Sequence, residues 1–91
     1  MLEIKIMVSN QLGLHARAAA QLVRLAGTFQ SNIELQRTDN GVSANAKSIL
    51  SVLTLAASKG IELVIKAEGT DEKEALGVLV ELFANGFGEI Q

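Results

Sequence analysis

Cysteine, proline, tryptophan and tyrosine are all missing from this 91-residue chain, and phenylalanine occurs only three times. Without cysteine there are no disulfides and no thiolate metal sites, which fits a reducing compartment. Ten acidic residues against eight Lys and Arg leave a net charge of -2. That balance gives no general attraction to nucleic acid or to anionic membranes. No apolar run approaches bilayer length. The N-terminus alternates polar and apolar residues where a signal peptide would be continuously apolar. The expectation is a soluble cytoplasmic protein of one domain, residues 1–91, with a single core.

What is present begins with the stretch Gly13-Leu14-His15-Ala16-Arg17-Ala18-Ala19-Ala20, which holds the one histidine of the chain. A run of strong helix formers follows it. His15 therefore falls at a helix N-terminus, where unpaired N–H groups and the positive end of the macrodipole gather. Such an end attracts phosphate, and Arg17 adds a planar cation suited to its oxygens. A solvated cap is the plainer account of a lone histidine. Phosphoryl chemistry on His15 is the sharper one.

Leu2, Ile4, Ile6 and Val8 alternate with Glu3, Lys5 and Met7, predicting a strand with one buried face. A helix is predicted over 16–26, stopping at Gly27, with Ala19, Leu22, Val23 and Ala26 as its core stripe. Arg17, Ala20, Gln21 and Arg24 share a second face that starts beside His15: either solvated surface or a docking face. A second strand spans 32–37 with Ile33 and Leu35 inward. Asp39-Asn40-Gly41 signals a hairpin, with a return strand near 42–44.

The next helix is expected over 47–57 with Ser48 as N-cap. Its apolar residues surround it too widely for one stripe, so Ile49, Leu50 and Leu53 are expected to be exposed. A third long strand alternates Ile61, Leu63, Ile65 and Ala67 with Glu62, Val64, Lys66 and Glu68. A last helix follows, with capping-box spacing at Asp71 and Glu74 and a core stripe of Leu76, Leu79, Val80 and Phe83. Asn85-Gly86 stops it, and Phe87 and the tail are expected to pack loosely. The order is β-α-β-β-α-β-α. Charged residues on the outer side of each strand predict an α+β, open-faced β-sandwich: a four-stranded antiparallel sheet covered on one face by three helices.

With Gly-Leu-His-Ala-Arg before the first helix and Asn-Ala-Lys-Ser-Ile-Leu before the second, the sequence resembles HPr. This is the histidine-containing phosphocarrier family of the bacterial phosphotransferase system, and the resemblance covers nearly the whole chain. It implies a phosphoryl carrier, not an enzyme, that takes a phosphoryl group from enzyme I and gives it to IIA domains of sugar transporters or regulators. It implies phosphorylation of His15 at Nδ1, neutralisation by Arg17, and phosphate oxygens held by the N–H groups of Ala16 and Arg17. Docking would use Ala16, Ala20, Arg24, Lys47, Ile49, Leu50 and Leu53. Ser48 matches a regulatory serine, implying a serine kinase and phosphorylase as further partners in some lineages. A monomer with no metal and no cofactor is expected. One departure stands out: Ala18 occupies a position where the family nearly always has proline, predicting a softer helix start with transfer retained.

Three competing readings follow. The tail Glu81-Leu82-Phe83-Ala84-Asn85-Gly86-Phe87 looks like the nitrogen-related phosphocarrier paralogue, whose output is regulation. A docking-only module controlled through Ser48 is the second, but the paralogue of that kind lacks the histidine. An RNA-binding sheet is the third. It would need aromatics and positive charge where Glu3, Glu34 and Glu62 stand, and is rejected.

Overall fold

The computed structural model describes residues 1–89. The last two residues of the expected tail and domain, Ile90 and Gln91, lie outside the described residues. The element order is β1 (Leu2–Met7), α1 (Ala16–Ala26), β2 (Asn32–Arg37), β3 (Ser43–Asn45), α2 (Ile49–Thr54), β4 (Glu62–Glu68) and α3 (Glu72–Ala84), then a short turn at Gly86–Gly88. The strands form one antiparallel sheet in the order β1-β4-β2-β3. This is the order and architecture that the sequence predicts. The core, including Val8, Leu22, Leu35, Val52, Leu63, Ile65, Leu79 and Phe83, joins residues of the sheet and the helices.

Period-two alternation sets the register. Leu2, Ile4 and Ile6 stand opposite Ala67, Ile65 and Leu63, and all three of those β4 partners are buried. Glu3, across from Lys66, shares the open face with Glu34, Lys66's partner on β2. The buried face expected of β1 is only partly achieved, since Leu2 and Ile4 remain about 40% exposed (39% and 41%). β1 is an edge strand, so it has a neighbour on one flank only. The hairpin turns as expected, with its return strand one residue later, at 43–45. Gly41 N–H donates to Arg37 O and Arg37 N–H to Val42 O. The Arg37 guanidinium forks onto Asp39 at 2.9 and 2.7 Å and reaches Leu55 O at 2.8 Å.

Other expectations are corrected. In α1 the buried set is Ala18, Ala19, Leu22 and Ala26, while Val23 is half-buried. α2 ends at Thr54, three residues short of the expected end, and Ala56 takes a left-handed conformation (φ 50°). That conformation costs an alanine about 1–2 kcal/mol. Burial of Leu55, worth about 1.5–3 kcal/mol, and of Ala57 offsets it.

The Asp71 carboxylate does not cap its own helix. It accepts instead from Gln30 N–H (2.8 Å), Ser31 N–H (2.9 Å) and the Ser31 hydroxyl, tying the α1–β2 loop to the start of α3. Within α3, Val80 is half-buried and Ala75 takes a core place beside Leu76, Leu79 and Phe83. Phe87 is buried, not loose. Its ring meets Phe83 edge-on with centroids 5.0 Å apart, and its backbone adopts φ 59°. This reverses the chain and sends it back toward the start of α1.

Candidate functional site

The loop before α1 is stapled to the loop before β4. Val8 N–H donates to Ile61 O, Gly60 N–H to Val8 O, and Leu14 N–H to Ala57 O, at 2.8–2.9 Å. The buried Asn10 side chain donates through Nδ2 to Gly13 O at 2.8 Å, closing the loop on itself. Leu14 is buried and fixes the residue immediately before the histidine.

His15 is the N-cap of α1, in extended conformation (φ -77°, ψ -179°), and its carbonyl accepts the first helical bond from Ala19 at 2.8 Å. Its Nδ1 faces the helix end and accepts the Arg17 backbone N–H at 3.2 Å. The N–H groups of Ala16 and Ala18 meet no acceptor among the described residues. The Arg17 side chain is exposed and makes no ion pair among the described residues. Among the described residues, an accepting ring nitrogen, N–H donors without acceptors and a guanidinium without an ion pair thus share one helix end, a setting suited to an anion.

The other ring nitrogen, Nε2, contacts the Glu89 carboxylate. Asn10 Nδ2 reaches the same carboxylate oxygen at 3.2 Å. The His15 hydrogen bond holds the Glu89 carboxyl below its ordinary value; partial desolvation works the other way, and Asn10 adds to the lowering. Sequence reasoning placed neither Asn10 nor Glu89 at the histidine. No periodicity marks them, and the signal that existed was the helix stop at Asn85-Gly86 followed by a further apolar residue, Phe87.

The expected docking residues are mostly where the sequence placed them. Leu50 is 74% exposed, with Ile49 and Leu53 also open to solvent on α2, which packs against α1. Arg24 is exposed and Ala20 half-buried. Leu12, in the loop before His15, is a further exposed apolar side chain that the reading missed. Two residues are diverted. Lys47 donates through Nζ to Phe29 O at 2.8 Å, and Gln21 donates to Phe87 O at 3.2 Å, bracing the tail. Ser48 caps α2, accepting Ser51 N–H at 3.3 Å.

Among the described residues there is no cluster of three His, Asp or Glu side chains that could hold a metal ion. No helix among them is long and apolar enough to cross a membrane. A depression of about 460 Å³, lined by Glu34, Asn45 and Lys66 among others, contains neither His15 nor any residue of α1.

The chain matches the family described as "PTS HPr component phosphorylation site" over residues 2–85. It is 46% identical to the phosphocarrier protein HPr of Cupriavidus necator over 98% of both chains. It is 42% identical to the phosphocarrier protein NPr of Proteus mirabilis over 93% of both. The crystal structure of HPr-C-His from Thermoanaerobacter tengcongensis superposes on all of the chain, and all of its own, with a TM-score of 0.92 at 41% identity. Fold, helix-end histidine and kinship agree: the chain belongs to the HPr family, the phosphoryl carriers of the phosphotransferase system that work between enzyme I and IIA proteins and are not themselves enzymes.

Proposed function

We propose that His15 carries the phosphoryl group, on Nδ1. The observation that supports this reading is the position of Nδ1 at the open end of α1, against the Arg17 N–H. Phosphoryl transfer needs positioning and charge stabilisation more than acid–base work. When Nδ1 bonds to phosphorus it ceases to be an acceptor. The Arg17 N–H then turns to a phosphoryl oxygen, the Ala16 N–H takes another, and the Arg17 guanidinium neutralises the added charge. A shallow site serves a carrier well, because two successive partners must reach one imidazole. Ala20, Arg24, Ile49, Leu50 and Leu53 form the docking face for both, with Lys47 contributing its stem, and modest affinity suits the exchange.

In this reading the whole chain, 1–91, is one cytoplasmic, monomeric carrier domain that receives phosphate from enzyme I and delivers it to IIA domains of sugar transporters. A second reading is favoured by the NPr relative: delivery to a nitrogen-branch IIA protein with a regulatory output. Regulation through Ser48 by a kinase and phosphorylase is compatible with either. Incubation with enzyme I and phosphoenolpyruvate, read by intact mass, is expected to add one acid-labile phosphoryl group to the wild type and none to His15→Ala. Labelling of His15→Ala would overturn the assignment. Parallel transfer to sugar-type and nitrogen-type IIA proteins separates the branches.

A further inference from the structure

The two nitrogens of a neutral imidazole have opposite roles, and the partner of each decides which one carries the proton. At His15 both partners are in place. A backbone N–H can only donate, so the Arg17 contact requires a lone pair on Nδ1. The proton then belongs on Nε2, where the acceptor is the Glu89 carboxylate. We infer that Glu89 is a positioning residue for phosphoryl transfer: by holding the proton on Nε2 it keeps Nδ1 free to attack and keeps the ring a good leaving group afterwards. The inference rests on His15 being the carrier residue.

Glu89 is held from several sides. Asn10, itself fully buried, donates from Nδ2 to the carboxylate and to Gly13 O, coupling the tail to the loop that precedes His15. Phe87, two residues before Glu89, is buried against Phe83, and its carbonyl accepts from Gln21 on α1. The His15 and Glu89 side chains are 27% and 12% exposed, so water competes weakly for their contact. A loose tail would give none of these contacts.

The chemistry explains why the pairing matters. As phosphate arrives, the Nδ1 lone pair forms the bond to phosphorus while the donor's bond to phosphorus breaks and its electron pair stays with the donor. The ring becomes a phosphorylated imidazolium that retains its Nε2 proton, and Glu89 balances the new positive charge. As phosphate leaves for the next acceptor, the Nδ1–P bond breaks and its electron pair returns to Nδ1. Because Nε2 has kept its proton, the departing ring is a neutral imidazole. Without that proton it would be an imidazolate, a far poorer leaving group. No proton is gained or lost over the cycle.

Long-range proton–nitrogen correlation spectra of the His15 ring, at alkaline pH where imidazole is neutral, read the tautomer directly. The wild type is expected to show the Nε2–H form and Glu89→Ala a mixture. Glu89→Gln, which keeps an acceptor oxygen without the charge, is expected to restore the Nε2–H form in part. Phosphoryl transfer in both directions should slow about tenfold in Glu89→Ala and less in Glu89→Gln. Unchanged thermal melting of Glu89→Gln separates this effect from loss of fold. An unchanged tautomer, or an unchanged rate in Glu89→Ala, would overturn the inference. If instead the wild type accepts no phosphate on His15, the carrier assignment falls, whatever the spectra show.

Discussion

Gly13 and Ala57 touch backbone to backbone: a Cβ built on Gly13 would lie 2.5 Å from the Ala57 carbonyl oxygen. The same carbonyl accepts Leu14 N–H at 2.8 Å, so the contact fixes the residue immediately before His15. Gly13 also has φ +67°, a conformation that favours glycine. Gly13→Ala is therefore expected to cost about 2–4 kcal/mol, combining backbone strain with overlap against an immobile neighbour. Urea denaturation measures the loss, and phosphorylation of the folded fraction should also slow, because His15 is displaced from the helix end.

Much of this was legible in the sequence because it depends on local periodicity. The alternation of β2 and β4, the bounds of α1, the Ser48 cap and the exposed trio Ile49, Leu50 and Leu53 all follow from it. What was not legible depends on contacts between distant segments. Asp71 has the spacing of a cap, yet it serves Ser31 across 40 residues. α2 ends at Thr54, and beyond it the Ala57 carbonyl accepts the Leu14 N–H from the loop before α1. Nothing local to Glu89 says that Phe87 will turn left-handed and bring it 74 residues back to His15.

Replacement of Ala18 by the proline usual in the family should be tolerated. The Ala18 N–H has no acceptor among the described residues, so the ring costs no hydrogen bond, and the position lies in the first turn of α1. Ala18→Pro is expected to raise stability by about 0.4–1 kcal/mol by restricting the unfolded chain. The rate of phosphorylation by enzyme I should not change, because the proposed phosphate donors are the N–H groups of Ala16 and Arg17 and the Ala18 N–H is not one of them. Thermal melting and a single-turnover assay check the two halves separately.

Acid should weaken the fold through Asp71. Its carboxyl is held below the ordinary value, first by the Ser31 hydroxyl and then by the Gln30 N–H. A group depressed in the folded state contributes fully above its unfolded pKa, about 3.9 for aspartate, and loses that contribution as pH falls through the folded value. Stability is therefore expected to be level with respect to this group above about pH 4 and to fall below it. Asp71→Asn should be less stable at neutral pH and show a flatter acid limb. Denaturant midpoints collected across that range decide the matter, and parallel acid limbs in the two proteins would assign the effect elsewhere.

Leu50 and Ser48 allow the docking face to be tested apart from stability. Leu50 is the most exposed apolar side chain of α2, so Leu50→Asp should move stability by no more than about 0.5 kcal/mol. If this face receives partners, the same change should slow transfer from enzyme I by about tenfold or more.

Ser48 caps the helix that carries those leucines, which sets two effects against each other. Ser48→Ala removes the hydroxyl that accepts Ser51 N–H and should cost about 1 kcal/mol, with transfer by the folded protein intact. Ser48→Asp keeps a cap oxygen and adds a negative charge at the helix N-terminus, so stability should be close to wild type. That charge stands next to Ile49 and Leu50 and would repel a partner with an acidic surface, slowing transfer. The pair of variants thus separates capping from charge. A transfer rate lowered equally by alanine and aspartate would mean that the shape of α2, and not the charge at its start, controls docking.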